Sequence, residues 1–415
     1  MKISAADDRA TRGAKRARVL AEAAKALNSR GVSQTSLSEI ASRVGVSRAA
    51  LYYYFEDQED LVFQSYRRSC EIMARRLSEA SHPAGDAIGV IDRFIDGMLA
   101  EGETEIAALS EIAFLRPEQR STILGLYEGI MASIAEILDG GIRRGEVRPC
   151  AAGIVAPAIV GIISWIPMAR RWRTSDPLAH LQMAKAIKSL LHRGMAADRA
   201  AASTYRPYDL KVAEVPVGRV FDQEALAAAK QEALLASASW LFNLKGVDAT
   251  SLEEVALRVG VTKKVIYHNV GDKESLVIAC YRRAFRFYED IGARNHRYAG
   301  SRIDALCAST HALAEAGLRE DITPLAPLAG FDALPDAVRQ EINTCSTRLM
   351  DSYMKLLSDG VGEGTIRRFE SRATLAVHPG TFERLPKWFE TMDADERAAA
   401  PGELAQLTRL GLLPI

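Results

Sequence analysis

Two short stretches of this 415-residue chain hold side chains whose types and spacing suit contact with a polyanion. The first, VSRAALYYYF, runs from Val46 to Phe55. Successive residues of a helix rotate by about 100°, so three consecutive tyrosines cannot share one core. With Leu51 and Phe55 turned inward, Arg48, Ala49, Tyr52 and Tyr53 face outward and Tyr54 lies at the flank. An arginine there reaches guanine edges or phosphate, and a small alanine lets the helix approach a groove. Tyrosines offer a hydroxyl to phosphate and a ring face to sugar or a thymine methyl. The second stretch, VTKKVIYHNV from Val261 to Val270, repeats the logic with Lys263, Lys264, Tyr267 and His268 outward.

Other chemistry is poorly represented. Seven histidines are scattered with no H-x3-H or H-E-x-x-H spacing, so a metal site is not expected. Five cysteines show no C-x-x-C pair, which argues against a disulfide framework or a zinc site. The glycine-rich GVGEGT at Gly360 follows a helical pattern rather than a strand and reads as a turn. No nucleophile elbow occurs. The expectation is a protein that is not an enzyme and needs no cofactor.

The elements that position the two stretches are legible. Ser36 and Glu39 have S-x-x-E capping-box spacing, and Leu37, Ile40, Ala41 and Val44 form the buried stripe of the helix they open. Gly45 then offers a positive-φ exit, and Ser47 caps the next helix. A helix, a three-residue glycine turn and a second capped helix spell a DNA-binding helix-turn-helix. In the second stretch Ser251, Glu254, Gly260 and Thr262 take the same places, with Ile266 and Val270 inward.

These are copies. TSLSEIASRVGVSRAALYYYFEDQEDLV from Thr35 aligns without gaps on TSLEEVALRVGVTKKVIYHNVGDKESLV from Thr250, a shift of 215 residues. Weaker similarity continues at a shift of 219, as between Gly141 and Gly360. A repeat near 200 residues is a duplicated domain pair. Outside the heads, apolar residues recur at helical spacing, and strand-like alternation is nearly absent. The fold class is therefore all-α, in two tandem units. The expected boundaries are a helix-turn-helix head at 1–62, a helical domain at 63–199, an extended linker at 200–221, a second head at 222–277 and a second helical domain at 278–415.

The pattern resembles the TetR family of transcriptional regulators: a Thr opening the first helix of the motif, I-A, G-V-S, then Y-x-Y/H-F and K-x-x-L. The resemblance implies DNA contacts from Thr35, Ser47, Arg48, Ala49, Tyr52, Tyr53 and Tyr54. In the second head it implies Thr250, Thr262, Lys263, Lys264, Tyr267, His268 and Lys273. Gln58 stands where the family usually has a phosphate-holding lysine, and Lys264 stands where it prefers a small residue. The resemblance further implies a helical effector and dimerisation domain behind each head, paired through its last two helices. The expected counterparts are 154–172 with 178–194, and 374–389 with a helix near 403–412. Two copies in one chain would make an intramolecular pseudo-dimer, open to further homodimerisation, with unlike heads on an imperfectly palindromic double-stranded DNA operator.

Charge separates the heads. Residues 1–55 carry ten Lys and Arg against four Asp and Glu, whereas residues 222–271 carry five against six. The first head has an electrostatic footprint for DNA; the second is nearly neutral. For an effector, Phe94, Phe114, Tyr127, Trp165, Phe331, Tyr353 and Trp388 are the candidate lining residues, each also suited to ordinary core packing. A mostly apolar pocket would take a small hydrophobic or aromatic molecule. No uninterrupted apolar run approaches the roughly 20 residues of a membrane span, and no apolar leader opens the chain, so the expected location is cytoplasmic. The expected function is a ligand-responsive repressor. The alternative is an effector-binding or interaction module with degenerate DNA binding.

Overall fold

The computed structural model describes residues 5–32, 35–83, 85–100, 105–109, 111–171, 179–211, 222–326, 331, 334–383, 385–388 and 392–415. Side chains are described for these except at 5–12, 168–171, 179–181 and 387–388. The first half begins with a head of α1 (Ala5–Arg30), α2 (Leu37–Val44) and α3 (Arg48–Leu51). Behind it lie α4 (Gln58–Ala80), α5 (Ala87–Leu99), α6 (Pro117–Arg144), α7 (Ala152–Arg171) and α8 (Ala179–Arg193). The second head is α9 (Gln223–Lys245), α10 (Leu252–Val259) and α11 (Lys263–Asn269). It is followed by α12 (Lys273–His296), α13 (Arg302–Gly317), α14 (Asp336–Gly362), α15 (Ser371–Val377), α16 (Leu385–Trp388) and α17 (Ala394–Leu410). The strand-like pairing among the described residues is one antiparallel bridge, Ala196 to Ile366.

Local chemistry starts and stops the head helices. Ser36 accepts the Glu39 N–H at the start of α2, and Gly45 ends it at φ 75°. Ser251 does the same for α10, and Gly260 ends that helix at φ 74°. The reciprocal half of the capping box forms only in the second head, where Glu254 accepts the Ser251 N–H. In the first head Glu39 turns instead to Arg30 at 2.5 Å and Arg43 at 3.0 Å. Leu37, Ile40, Ala41, Val44, Leu51 and Phe55 bury against Val19, Leu20 and Ala23 of α1, as the apolar stripe predicts.

Each head is tied to its own body by a buried asparagine near the end of its first helix. Asn28 donates to the Ile106 carbonyl at 2.8 Å and accepts the Ala108 N–H at 2.7 Å. Asn243, 215 positions on, donates to the Pro324 carbonyl and accepts the Ala326 N–H, both at 2.9 Å. One amide thus bonds two main-chain groups of the segment it meets. Glu111 reaches further. Its carboxylate accepts the Val32 N–H of the first head at 2.5 Å, and it also lies against Gly246 of the second.

The two halves meet along a seam whose contacts come in reciprocal pairs. Helix α7 packs on the 3-10 turn His378–Thr381 and on α17, while α8 packs on α15 and α17. Arg148 donates to the Gly411 carbonyl, and Arg367, 219 positions on, donates to the Gly194 carbonyl. The Met195 N–H bonds the Thr408 carbonyl, and the Leu412 N–H bonds the Leu191 carbonyl. Gly161 and Gly380, again 219 apart, touch each other: a Cβ on Gly161 would lie 2.3 Å from the Gly380 carbonyl oxygen. One apolar cluster runs through the seam, from Tyr66 and Phe94 to Leu404 and Leu412.

One expectation needs correction. The segment 374–389 is not one helix: α15 ends at Val377, and His378-Pro379-Gly380 turns the chain before α16. Proline lacks the N–H that would continue α15, and Gly380 permits the close approach to α7. The partner helix near 403–412 is longer, α17, with Pro401 inside it. The linker segment forms no helix or strand over 201–211, while 212–221 lie outside the described residues. Thr204 donates to Asp304 at 2.9 Å, Tyr208 to Asn295 at 2.8 Å, and Leu210 is buried beside Ile291 and Ala312. Helix α6 is long and apolar enough to cross a membrane, but Ile123, Tyr127, Ile134 and Leu138 are buried in the apolar cluster, and Glu118, Glu128 and Glu136 interrupt it.

Candidate nucleic-acid interface and effector cavity

The outward face of α3 is short. Four residues are helical, and Tyr54 and Phe55 then bond back to the Leu51 carbonyl at 2.8 and 3.0 Å. Ser47 caps it by accepting the Ala50 N–H at 3.1 Å. Arg48 donates to the Tyr52 hydroxyl at 3.2 Å, and its guanidinium stands 5.9 Å from the Tyr52 ring centre. Tyr52 and Tyr53 are exposed, the latter by 86%, while Tyr54 is half-buried against Phe55. Ala49 is exposed between them and leaves the face open to close approach. Leu51 and Phe55 hold this face in place from beneath.

The second head carries the same pair of types. Lys263 stands 5.7 Å from the Tyr267 ring, four residues on, as Arg48 stands to Tyr52. Lys263 also bonds Glu253 at 2.5 Å, and this partner raises the lysine pKa and lowers that of the carboxylate. Lys264, Tyr267 and His268 are exposed. Ile266 is fully buried beneath them, and Val270 is half-buried against the same core. Lys273 donates to the Asp248 carbonyl at 3.2 Å, and Gln58 at the matching place donates to the Val32 and Thr35 carbonyls. Both residues therefore stitch helix α12 or α4 to the loop that precedes the motif.

Some assigned residues are not on the surface. Thr35 and Thr250 are buried, with hydroxyls donating to the Gly31 and Gly246 carbonyls at 2.7 and 2.8 Å. Their work is to close the turn into the motif, so their side chains are not DNA ligands in this arrangement. Thr262 occupies the cap position of α11 but makes no side-chain cap bond. In the first head Lys15 and Arg18 are also exposed, on α1.

A cavity of about 420 Å³ opens in the second half among α12, α13, α14 and α15. Tyr353 lines it from α14, and Trp165 reaches it from α7 of the first half, its indole N–H donating to the Ala376 carbonyl at 2.9 Å. Of the seven aromatic candidates these two line this cavity. Phe94 and Tyr127 are wholly buried in the apolar cluster. Phe114 is half-buried beside that cluster, and Phe331 lies against the second head's core. The side chain of Trp388 lies outside the described residues. The sequence reading missed Phe285, Tyr288, Ser309, His378 and Phe382, which share the wall. Tyr353 and Ser309 hydroxyls bond at 2.5 Å. His378, bonded to Thr408 at 2.9 Å, is pulled down to about 4 by burial and is neutral. Among the described residues no cluster of three or more His, Cys, Asp or Glu could hold a metal ion.

The sequence signature described as "Bacterial regulatory proteins, tetR family" matches residues 19–64 and again 234–280. A second, "Tetracyclin repressor-like, C-terminal domain", matches 89–198. The regulator AcrR of Shigella flexneri is 25% identical over 154 residues, covering 34% of this chain and 72% of AcrR. The regulator TtgR of Pseudomonas putida is 25% identical over 174 residues, covering 38% of this chain and 79% of TtgR. Among solved structures, AibR in complex with isovaleryl coenzyme A and operator DNA superposes with a TM-score of 0.36 at 19% identity, covering 42% of this chain and 97% of that one.

Proposed function

Because the chain belongs to the TetR family, with two of the family's DNA-binding units in tandem, we propose that it is a ligand-responsive transcriptional repressor that reads an imperfect palindrome with two unlike heads. The observation that carries this reading is the repeated cation and tyrosine, Arg48 with Tyr52 and Lys263 with Tyr267, in which the cation opens the second helix of its motif and the tyrosine follows four residues on. Cations give phosphate anchoring and base-edge contact, and tyrosines give backbone contact. The proposed division is two heads at 1–62 and 222–277, two effector bodies at 63–199 and 278–415, and a linker at 200–221. The seam, with its reciprocal bonds from Arg148 and Arg367, supports an intramolecular pseudo-dimer. Such a pair sets its heads about one turn of DNA, roughly 34–36 Å, apart. An effector bound in the second-half cavity favours a head spacing that does not fit the operator, and so shifts the population off DNA.

One observation favours a second reading, in which the second head contributes little. Its Lys263 is held by Glu253, which stands where the first head has Ser38. A salt-dependent gel shift on DNA from upstream of the protein's own coding region tests both readings. Tight binding that weakens steeply with salt is expected. Arg48→Ala should weaken it at least about tenfold, the scale of one lost bidentate contact. Glu253→Ser should tighten it, by freeing Lys263. Unchanged affinity for both variants overturns the two-head reading, and an unchanged Glu253→Ser alone favours a silent second head.

A further inference from the structure

We propose that this chain binds one effector and not two: the second half has kept an open aromatic cavity, completed by Trp165 of the first half, while side chains fill the matching place in the first. The proposal rests on the cavity being the effector site. It comes from comparing the copies position by position. Ser309 lies on α13, 215 positions after Phe94 on α5, and Ser346 lies on α14, 219 positions after Tyr127 on α6. Both offsets are those at which the flanking helices align: α12 starts 215 residues after α4, and Gly360 stands 219 after Gly141.

In the second half both positions are serine and both line the cavity. In the first half both are aromatic, and Phe94 and Tyr127 expose none of their surface. Ser309 is itself only 1% exposed, so the copies differ there in side-chain volume and not in exposure. At a third position Tyr353 is half-buried at the cavity wall, and its counterpart Ile134 is wholly buried. Two large rings stand in one copy where two hydroxymethyl groups stand in the other, and interiors tolerate no void without cost.

The seam makes the asymmetry structural. Trp165 is fixed across it by its bond to the Ala376 carbonyl, so the second half's cavity is incomplete without the first half. The cavity wall also states what fits. Of its charged groups Arg372 and Asp351 are exposed, and Glu383 is half-buried. With them on the wall stand Phe285, Tyr288 and the bonded hydroxyls of Tyr353 and Ser309. Glu383 and the phenol oxygens are acceptors, and the neutral imidazole of His378 adds no charge. An uncharged aromatic molecule that carries an N–H or O–H donor meets this wall without burying an unpaired ion.

N-phenyl-1-naphthylamine, neutral and aromatic with one N–H, is the probe. Titrated into the full chain and followed by its own fluorescence, it should saturate at one equivalent. Ser309→Phe installs the first half's residue and should weaken binding at least tenfold, while Ser309→Ala should not. Retained DNA binding and an unchanged far-ultraviolet spectrum report that Ser309→Phe is folded; if it is not, Ser346→Tyr takes its place. Two equivalents bound, no binding, undiminished binding by the phenylalanine variant, or tighter binding of N-methylacridinium each overturns the proposal. One equivalent bound with no effect on DNA affinity leaves it standing and removes the effector reading instead.

Discussion

Single side chains here have chemistry that can be weighed. His378 is buried, bonded to Thr408, and held neutral down to about 4. The free imidazole titrates near 6.5, so below that pH the unfolded chain binds a proton the folded chain refuses. Stability therefore falls as pH drops from about 6.5 towards 4. Glu39 and Glu254 act in the same direction at lower pH, because Arg30 and Lys245 hold their pKa values below the usual range. The melting temperature should fall between pH 7 and pH 5, and His378→Gln should flatten that fall by a few degrees. An equal fall in the variant would remove His378 as the cause. What the sequence told at this scale was uneven. Arg48, Tyr52, Lys263 and Tyr267 are legible because a helix period and a cap fix which way they face. Thr35 and Thr250 misled, because a family position says nothing of a hydroxyl already bonded to Gly31 or Gly246.

Elements were legible where their signals are local. Ser47, Gly45 and the Leu37–Val44 stripe lie within a dozen residues, and each rule agrees with the next. The break at 378–380 was written in the sequence as His-Pro-Gly, yet its purpose is nonlocal: Gly380 must touch Gly161. The cavity was legible only in part: Trp165 and Tyr353 stood among the aromatic candidates, but a serine at 309 has meaning only against the phenylalanine at 94. The pinning of 203–210 was not legible, since its partners lie some 90 to 100 residues away. The touching glycines give a test at this scale. Gly161→Ala drives a methyl into the Gly380 carbonyl, and overpacking of this kind costs about 1–3 kcal/mol or more. Differential scanning calorimetry should show a melting point lowered by several degrees, on the scale of about 2–4 °C per kcal/mol. Gly362→Ala, which meets nothing within 4 Å, should leave it unchanged. If both variants melt like the parent, the close approach of α7 to the 378–381 turn is wrong.

The proposed pseudo-dimer should behave differently from two subunits that must find each other. Its seam lies within one chain, so the halves face an effective concentration that dilution does not lower. Sedimentation should give one 45.3 kDa species across about a hundredfold range of concentration. The DNA-binding isotherm should stay first order in protein over the same range. A species of twice that mass, or second-order binding, would mean that two chains are needed.

That seam also changes what a mutation does. In a dimer of identical chains, one altered codon strikes both heads and both bodies at once, and a defective copy poisons its partners by mixing with them. Here each half has its own codons. Glu253 can appear opposite Lys263 while Ser38 stays in the first head, and Phe94 can close one body while Ser309 leaves the other open. Inheritance can tune the two halves one at a time.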